Sequence, residues 1–219
     1  MKYSAICRLL KKLMEGPIMD CIHEEMPSLE MKEYKKKVSK EYKAIIERCD
    51  GIGSMKENAN TISLMASAYL FACYKCCEMS DDVVVKVVDA FSYGKLMMKM
   101  YTMKDAFSQK EIESRKQADI RTHKREYPMD WLTDFKYEEG AQEYWIIHHE
   151  CGICKLGKQE GCFNIVRYMC KMDYASFEAQ GYVLDRTKTL GYGDDCCNFH
   201  VMTKEKAKEI GFVKGKDAK

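Results

Sequence analysis

Apolar and polar positions change their period near Pro128. Before it, helical spacing dominates. Ile6, Leu9, Leu10 and Leu13 predict a helix from Ser4 to Glu15, which Gly16-Pro17 stops. A second helix is predicted from Ser28, just behind Pro27, to Cys49. Its buried stripe is Tyr34, Val38, Tyr42, Ile45 and Ile46, and its lysines form a solvated face. Asp50-Gly51-Ile52-Gly53 reads as a turn, without the preceding strand and third glycine of a phosphate-binding loop. Asn58 to Met79 predicts a buried helix, with Cys73, Cys76 and Cys77 packing as small hydrophobes on one face. Ser80-Asp81-Asp82 caps a helix carrying Val83, Val84, Val87, Val88 and Phe91. Ser108 with Glu111 makes a capping box for another helix, to about His123. The basic stretch from Arg115 to Arg125 is assigned to solvated surface.

After Pro128 the runs Tyr144 to Glu150, Tyr182 to Leu184 and Phe199 to Val201 are rich in strand formers. Between the first two, Gly161 to Gln180 predicts a helix that Gly181 ends. The order implies an α+β fold, a helical N-terminal half packed on a small antiparallel sheet formed by the C-terminal third. We expect one domain over 1–219. Residues 1–127 are its mostly helical part, 128–212 a strand-helix-strand-strand part carrying the site, and 213–219 a loose tail.

Composition narrows the function. Apolar residues at 46% and charged residues at 32% describe a chain that folds. A net charge of +2, with both signs interleaved, offers no field for nucleic acid or an anionic membrane. Asn58 to Tyr74, the longest uncharged stretch, is shorter than the roughly 20 residues of a membrane span. Arg8, Lys11 and Lys12 interrupt the first apolar run, so no signal-peptide core is expected there. With no signal, twelve cysteines in 219 residues point to reduced thiols in a cytoplasm.

Candidate chemistry gathers in the last third, where Cys151, Cys154, Cys162, Cys170, Cys196 and Cys197 accompany Asp173, Arg186, His148, His149 and His200. Val166, Cys170, Asp173 and Phe177 share one helix face, so Asp173 is expected to look inward. An inward carboxylate needs a partner, and Arg186 on the following strand is the natural one. The pair reads either as a structural tie between helix and sheet or as a carboxylate held at a pocket. A nearby negative charge makes Cys170 a poor thiolate unless Arg186 or a histidine offsets it. Cys151-Gly-Ile-Cys154 lacks a second pair at zinc-ribbon spacing, and the helical region before it does not supply a thioredoxin-like context. In the last strand, alternation puts Cys197, Phe199 and Val201 on one face and Cys196, Asn198 and His200 on the other.

These spaced elements resemble the L-2-amino-thiazoline-4-carboxylic acid hydrolase family. The resemblance rests on Cys170 with Asp173, Arg186-Thr187-Lys188-Thr189, Gly193 and Cys197-Asn198-Phe199, and is looser over the Gly-Ile-Gly turn and Asn58. It implies a hydrolase that opens a cysteine-derived cyclic amidine to N-carbamoyl-L-cysteine, or acts on a related small molecule, without metal or cofactor. Arg186, Thr189 and Asn198 would bind substrate. Asp173 would activate water, or assist Cys170 or Cys197 in attack. Asn198 stands where the family has Asp, and His200 where a basic residue such as Arg is common. The Cys-x-Phe ending is also similar to vinyl-reductase type domains, which bind small molecules without turnover. Homo-oligomerisation stays open.

Overall fold

The computed structural model describes residues 1–213; of the expected tail, 214–219 lie outside the described residues. The helical half contains α1 (Ala5–Glu25), α2 (Met31–Arg48), α3 (Asn60–Lys75), α4 (Asp81–Ser92), α5 (Lys95–Thr102) and α6 (Gln109–His123). Then follow β1 (Leu132–Lys136), β2 (Glu143–Glu150), α7 (Gly152–Glu160), α8 (Phe163–Met169), α9 (Met172–Ala179), β3 (Val183–Asp185), β4 (Cys197–Met202) and α10 (Lys204–Glu209). The sheet is antiparallel throughout, in the order β1-β2-β4-β3. The fold is α+β. No helix among the described residues is long and apolar enough to cross a membrane.

The stripe of α2 is buried as its spacing predicts, with Val38, Tyr42, Ile45 and Ile46 fully enclosed. Ser80 and Ser108 cap α4 and α6 by accepting from Val83 and Glu111 N–H. Helix α1 corrects the expected stop, because it runs through Pro17. A proline inside a helix costs about 3 kcal/mol. Burial of Met14, Ile18, Met19 and Ile22, at about 1.5–3 kcal/mol each, outweighs that cost. Those residues define the buried face, so Ile6, Leu9 and Leu13 are exposed. Helix α3 ends before Cys76 and Cys77, and the predicted helix over 161–180 is divided into α8 and α9 at Cys170-Lys171. Strand β1 carries Thr133, Asp134 and Lys136 and has no strong strand pattern to announce it.

The register places the site. On the inner face, His148 lies opposite Cys197, Ile146 opposite Phe199 and Tyr144 opposite Val201. Helices α6 and α9 cover this face with Ile112 and Phe177. The larger core gathers residues of α1–α4, α7 and α8, and Leu190 packs against both cores. At the outer edge α6 satisfies β1, since Thr122 Oγ1 accepts from Thr133 N–H and Asp119 Oδ2 from Phe135 N–H. An edge covered in this way cannot recruit another strand.

Glu160 ties the end of α7 to α2 and α3. Its buried carboxylate accepts from Arg48 at 2.6 Å and from Lys75 at 2.8 Å. Burial disfavours the charge, but these hydrogen bonds outweigh it and hold the carboxyl below its usual range. The stabilisation is therefore present above the unfolded value of about 4.3 and lost as pH falls through the folded value. We expect Glu160→Gln to cost about 2 kcal/mol at pH 7 in urea unfolding. The difference should shrink below about pH 4.

Candidate functional site

Arg186 leaves β3 and turns inward, where it is 2% exposed. A guanidinium removed from water needs fixed acceptors and opposing charge. Nη1 donates to Asp173 Oδ2 at 2.7 Å and Nη2 to the Cys170 carbonyl at 2.8 Å. The Tyr174 and Phe199 rings lie 4.9 Å from the guanidinium carbon. The expected pairing of Asp173 with Arg186 is thus present, although the single helix expected there is divided between Val166 and Asp173. The Asp173 side chain keeps 42% of its exposure, yet desolvation raises its carboxyl above the usual range against the pull of Arg186. Asp173 is thus held by Arg186 and still reachable from solvent.

Two residues outside the family motif reach the same space. His148, brought opposite Cys197 by the β2–β4 register, is edge-on to Phe199. Its Nδ1 is 2.8 Å from Thr133 Oγ1. Desolvation, then the charges of Arg115 and Arg186, push it down to about 3. It is a neutral imidazole near pH 7. Arg115, on α6, stands over the Tyr144 ring and pairs with Glu111 at 2.7 Å. Its charge acts on both Asp173 and His148. The surface role expected of Arg115 is therefore corrected, because α6 turns this residue toward the sheet.

The thiols are brought together but not activated. Cys170 is pushed well above its ordinary value by desolvation, which Arg186 opposes and Asp173 reinforces. Cys197 is pushed up to about 12 by desolvation, although its Sγ accepts from Leu190 N–H at 3.2 Å. Gly191 closes over Cys170, since a Cβ there would sit 2.9 Å from its Sγ. Cys151 caps α7 directly after β2, so the CxxC does follow a strand and open a helix. Cys151 is nevertheless raised by its hydrogen bond to Cys154 and by desolvation, the reverse of an activated redox thiol.

Asn198 faces the other way, toward the loop after β3. Its Oδ1 accepts from Thr187 and Lys188 N–H at 3.1 and 2.6 Å, and its Nδ2 donates to Thr187 Oγ1 at 2.8 Å. Thr189 is fully buried, with its N–H donated to Asp194 at 2.7 Å. Its hydroxyl has no hydrogen-bond partner among the described residues. His200 lies on the outer face, stacked on Trp145 and 2.7 Å from Glu143. An open depression of about 470 Å³ adjoins the site through Tyr174.

The family model of L-2-amino-thiazoline-4-carboxylic acid hydrolase matches residues 61–201, well over half of the chain. The chain belongs to the L-2-amino-thiazoline-4-carboxylic acid hydrolase family. No curated protein and no solved structure matches it. The span shared with this hydrolase family holds Arg115, His148, Cys170, Asp173, Arg186, Thr189, Cys197 and Asn198. The Oδ1 bonds of Asn198 are ones a carboxylate at this position would also accept. Asn198→Asp should keep stability within about 1 kcal/mol, whereas Asn198→Ala strands two N–H groups and should cost about 2 kcal/mol. Chemical unfolding of both variants measures the contrast.

Proposed function

We propose that this chain hydrolyses a small cyclic amidine carrying a carboxylate, with L-2-amino-thiazoline-4-carboxylate as the first compound to test. The observation that carries the reading is the Asp173 carboxylate, fixed by buried Arg186 yet still accessible, within the span matched to the hydrolase family. A carboxylate whose proton affinity is raised by burial and which is held in one orientation suits general-base chemistry. Asp173 takes a proton from water as the water oxygen bonds to the amidine carbon. Collapse breaks the carbon–sulfur bond, the sulfur leaves as a thiolate and takes a proton, and the product is N-carbamoyl-L-cysteine.

The remaining residues divide the work. Both terminal nitrogens of Arg186 are engaged, so it serves as a positioning residue for Asp173 and not as the substrate clamp. Arg115 takes that place, exchanging Glu111 for the substrate carboxylate, because a guanidinium fork matches a carboxylate. Neutral His148 offers a hydrogen-bonding group to the ring, whereas the hydroxyl of Thr189 is enclosed and assigned no contact with it. Cys170 and Cys197 line the site as protonated thiols, which favours the water route over thiolate attack. Asn198 holds the loop after β3.

The test is mass-spectrometric detection of N-carbamoyl-L-cysteine from the thiazoline carboxylate with catalytic amounts of protein. Turnover by wild type should fall at least about 100-fold in Asp173→Asn. Cys170→Ser and Cys197→Ser should each lose less than about 10-fold, since no covalent step is assigned to either. Arg115→Met should raise KM more than it lowers kcat. Full activity in Asp173→Asn would overturn the assignment. Thermal stabilisation by the compound without turnover would instead favour a non-catalytic binding domain.

A further inference from the structure

On the far side of the sheet from the thiols, where the C-terminal turn of α6 wraps the edge of β1, two carboxylates and two imidazoles converge. Asp119 and His123 are four apart on α6, Asp134 is on β1 and His149 on β2. His123 Nε2 is 2.8 Å from Asp134 Oδ1 and 3.5 Å from Asp119 Oδ1. The ligand atoms of Asp119, His123 and Asp134 all lie within 4.8 Å of one another.

The second oxygen of each carboxylate decides the arrangement. Asp119 Oδ2 is held at 2.9 Å by Phe135 N–H. Asp134 Oδ2 is held at 2.9 Å by His149 Nε2. Each carboxylate therefore turns its free Oδ1 toward the same imidazole nitrogen. Metal–ligand bonds of about 2.0–2.2 Å put neighbouring donors about 3.3 Å apart, so only small adjustments are needed.

We propose that Asp119, His123 and Asp134 form a binding site for a divalent transition-metal ion of the zinc type, with His149 orienting Asp134. An imidazole with two carboxylates selects a borderline ion over calcium or magnesium, which take all-oxygen ligand sets. Hydrogen bonds from the peptide N–H and from His149 to the non-ligating oxygens are the outer contacts such sites use. His123 is the last residue of α6, where the helix dipole favours positive charge. His123 is half exposed and Asp134 about one third, so solvent completes the coordination. The ion clips α6 to β1, one helical turn beyond Arg115. The inference does not depend on the hydrolase reading.

Twelve thiols would confuse a count of bound zinc, so the readout is the imidazole itself. The full chain, labelled with 15N-histidine and stripped with EDTA, is titrated with ZnCl2. The His123 Nε2 resonance should move to a metal-bound position by one equivalent beyond any thiol-bound zinc. Asp134→Asn should weaken that transition at least 10-fold, and His149→Ala should weaken it less. Both variants should keep the wild-type amide spectrum in regions remote from the site. An unmoved His123 resonance at excess ZnCl2 would overturn the proposal. So would a transition unchanged by Asp134→Asn, with Asp119→Asn as a second variant should the first fail to fold.

Discussion

A guanidinium buried between an aromatic face on α9 and one on β4 sets the terms for everything around it. Removing a cation from water costs several kcal/mol, and the cost is recovered only when opposing charge and acceptors stand in fixed positions. Asp173, the Cys170 carbonyl and the two rings meet that demand around Arg186. The chain after β3, the Cys170-Lys171 junction and the first turn of α9 are thereby tied into one constellation. Asp173 gains an orientation it could not hold alone while keeping an accessible side.

The same low-dielectric setting separates the cysteines from their apparent promise. Burial disfavours the thiolate, and Asp173 adds to the penalty at Cys170. Cys170 and Cys197 thus stand as protonated thiols, while burial raises the proton affinity of Asp173. His148 complements it as a neutral group, because desolvation and then two guanidiniums make its protonated form costly. Arg115 near Asp173 fits a substrate that brings a carboxylate of its own to replace Glu111.

Much of the framework could be read along the chain. The α2 stripe and the caps of α4 and α6 follow from local periodicity and hydrogen-bonding chemistry. The pairing of Asp173 with Arg186 follows from a carboxylate and a nearby cation, although the continuous helix face expected there is divided at Cys170-Lys171. What escaped depends on tertiary context. Pro17 is carried inside α1 by residues packed against α3 and α4. Strand β1 exists because β2 and the side chains of α6 satisfy it on its two sides. His148 meets Cys197 only through a strand register, and Arg115 looked like one basic residue among several until α6 was laid on the sheet. Asn198 reads as a substrate ligand along the chain, because its bonds to the loop after β3 depend on a loop path that sequence alone does not orient.

The most direct test of a carboxylate base held by Arg186 is the pH dependence of kcat/KM for the wild-type protein on the thiazoline carboxylate. Asp173 as base predicts an acid limb governed by a group titrating above the ordinary aspartate range of about 3.9 and well below thiol values, with a plateau through neutrality. Activity that keeps climbing through alkaline pH as Cys170 or Cys197 ionises would contradict the account and move the chemistry to a thiolate.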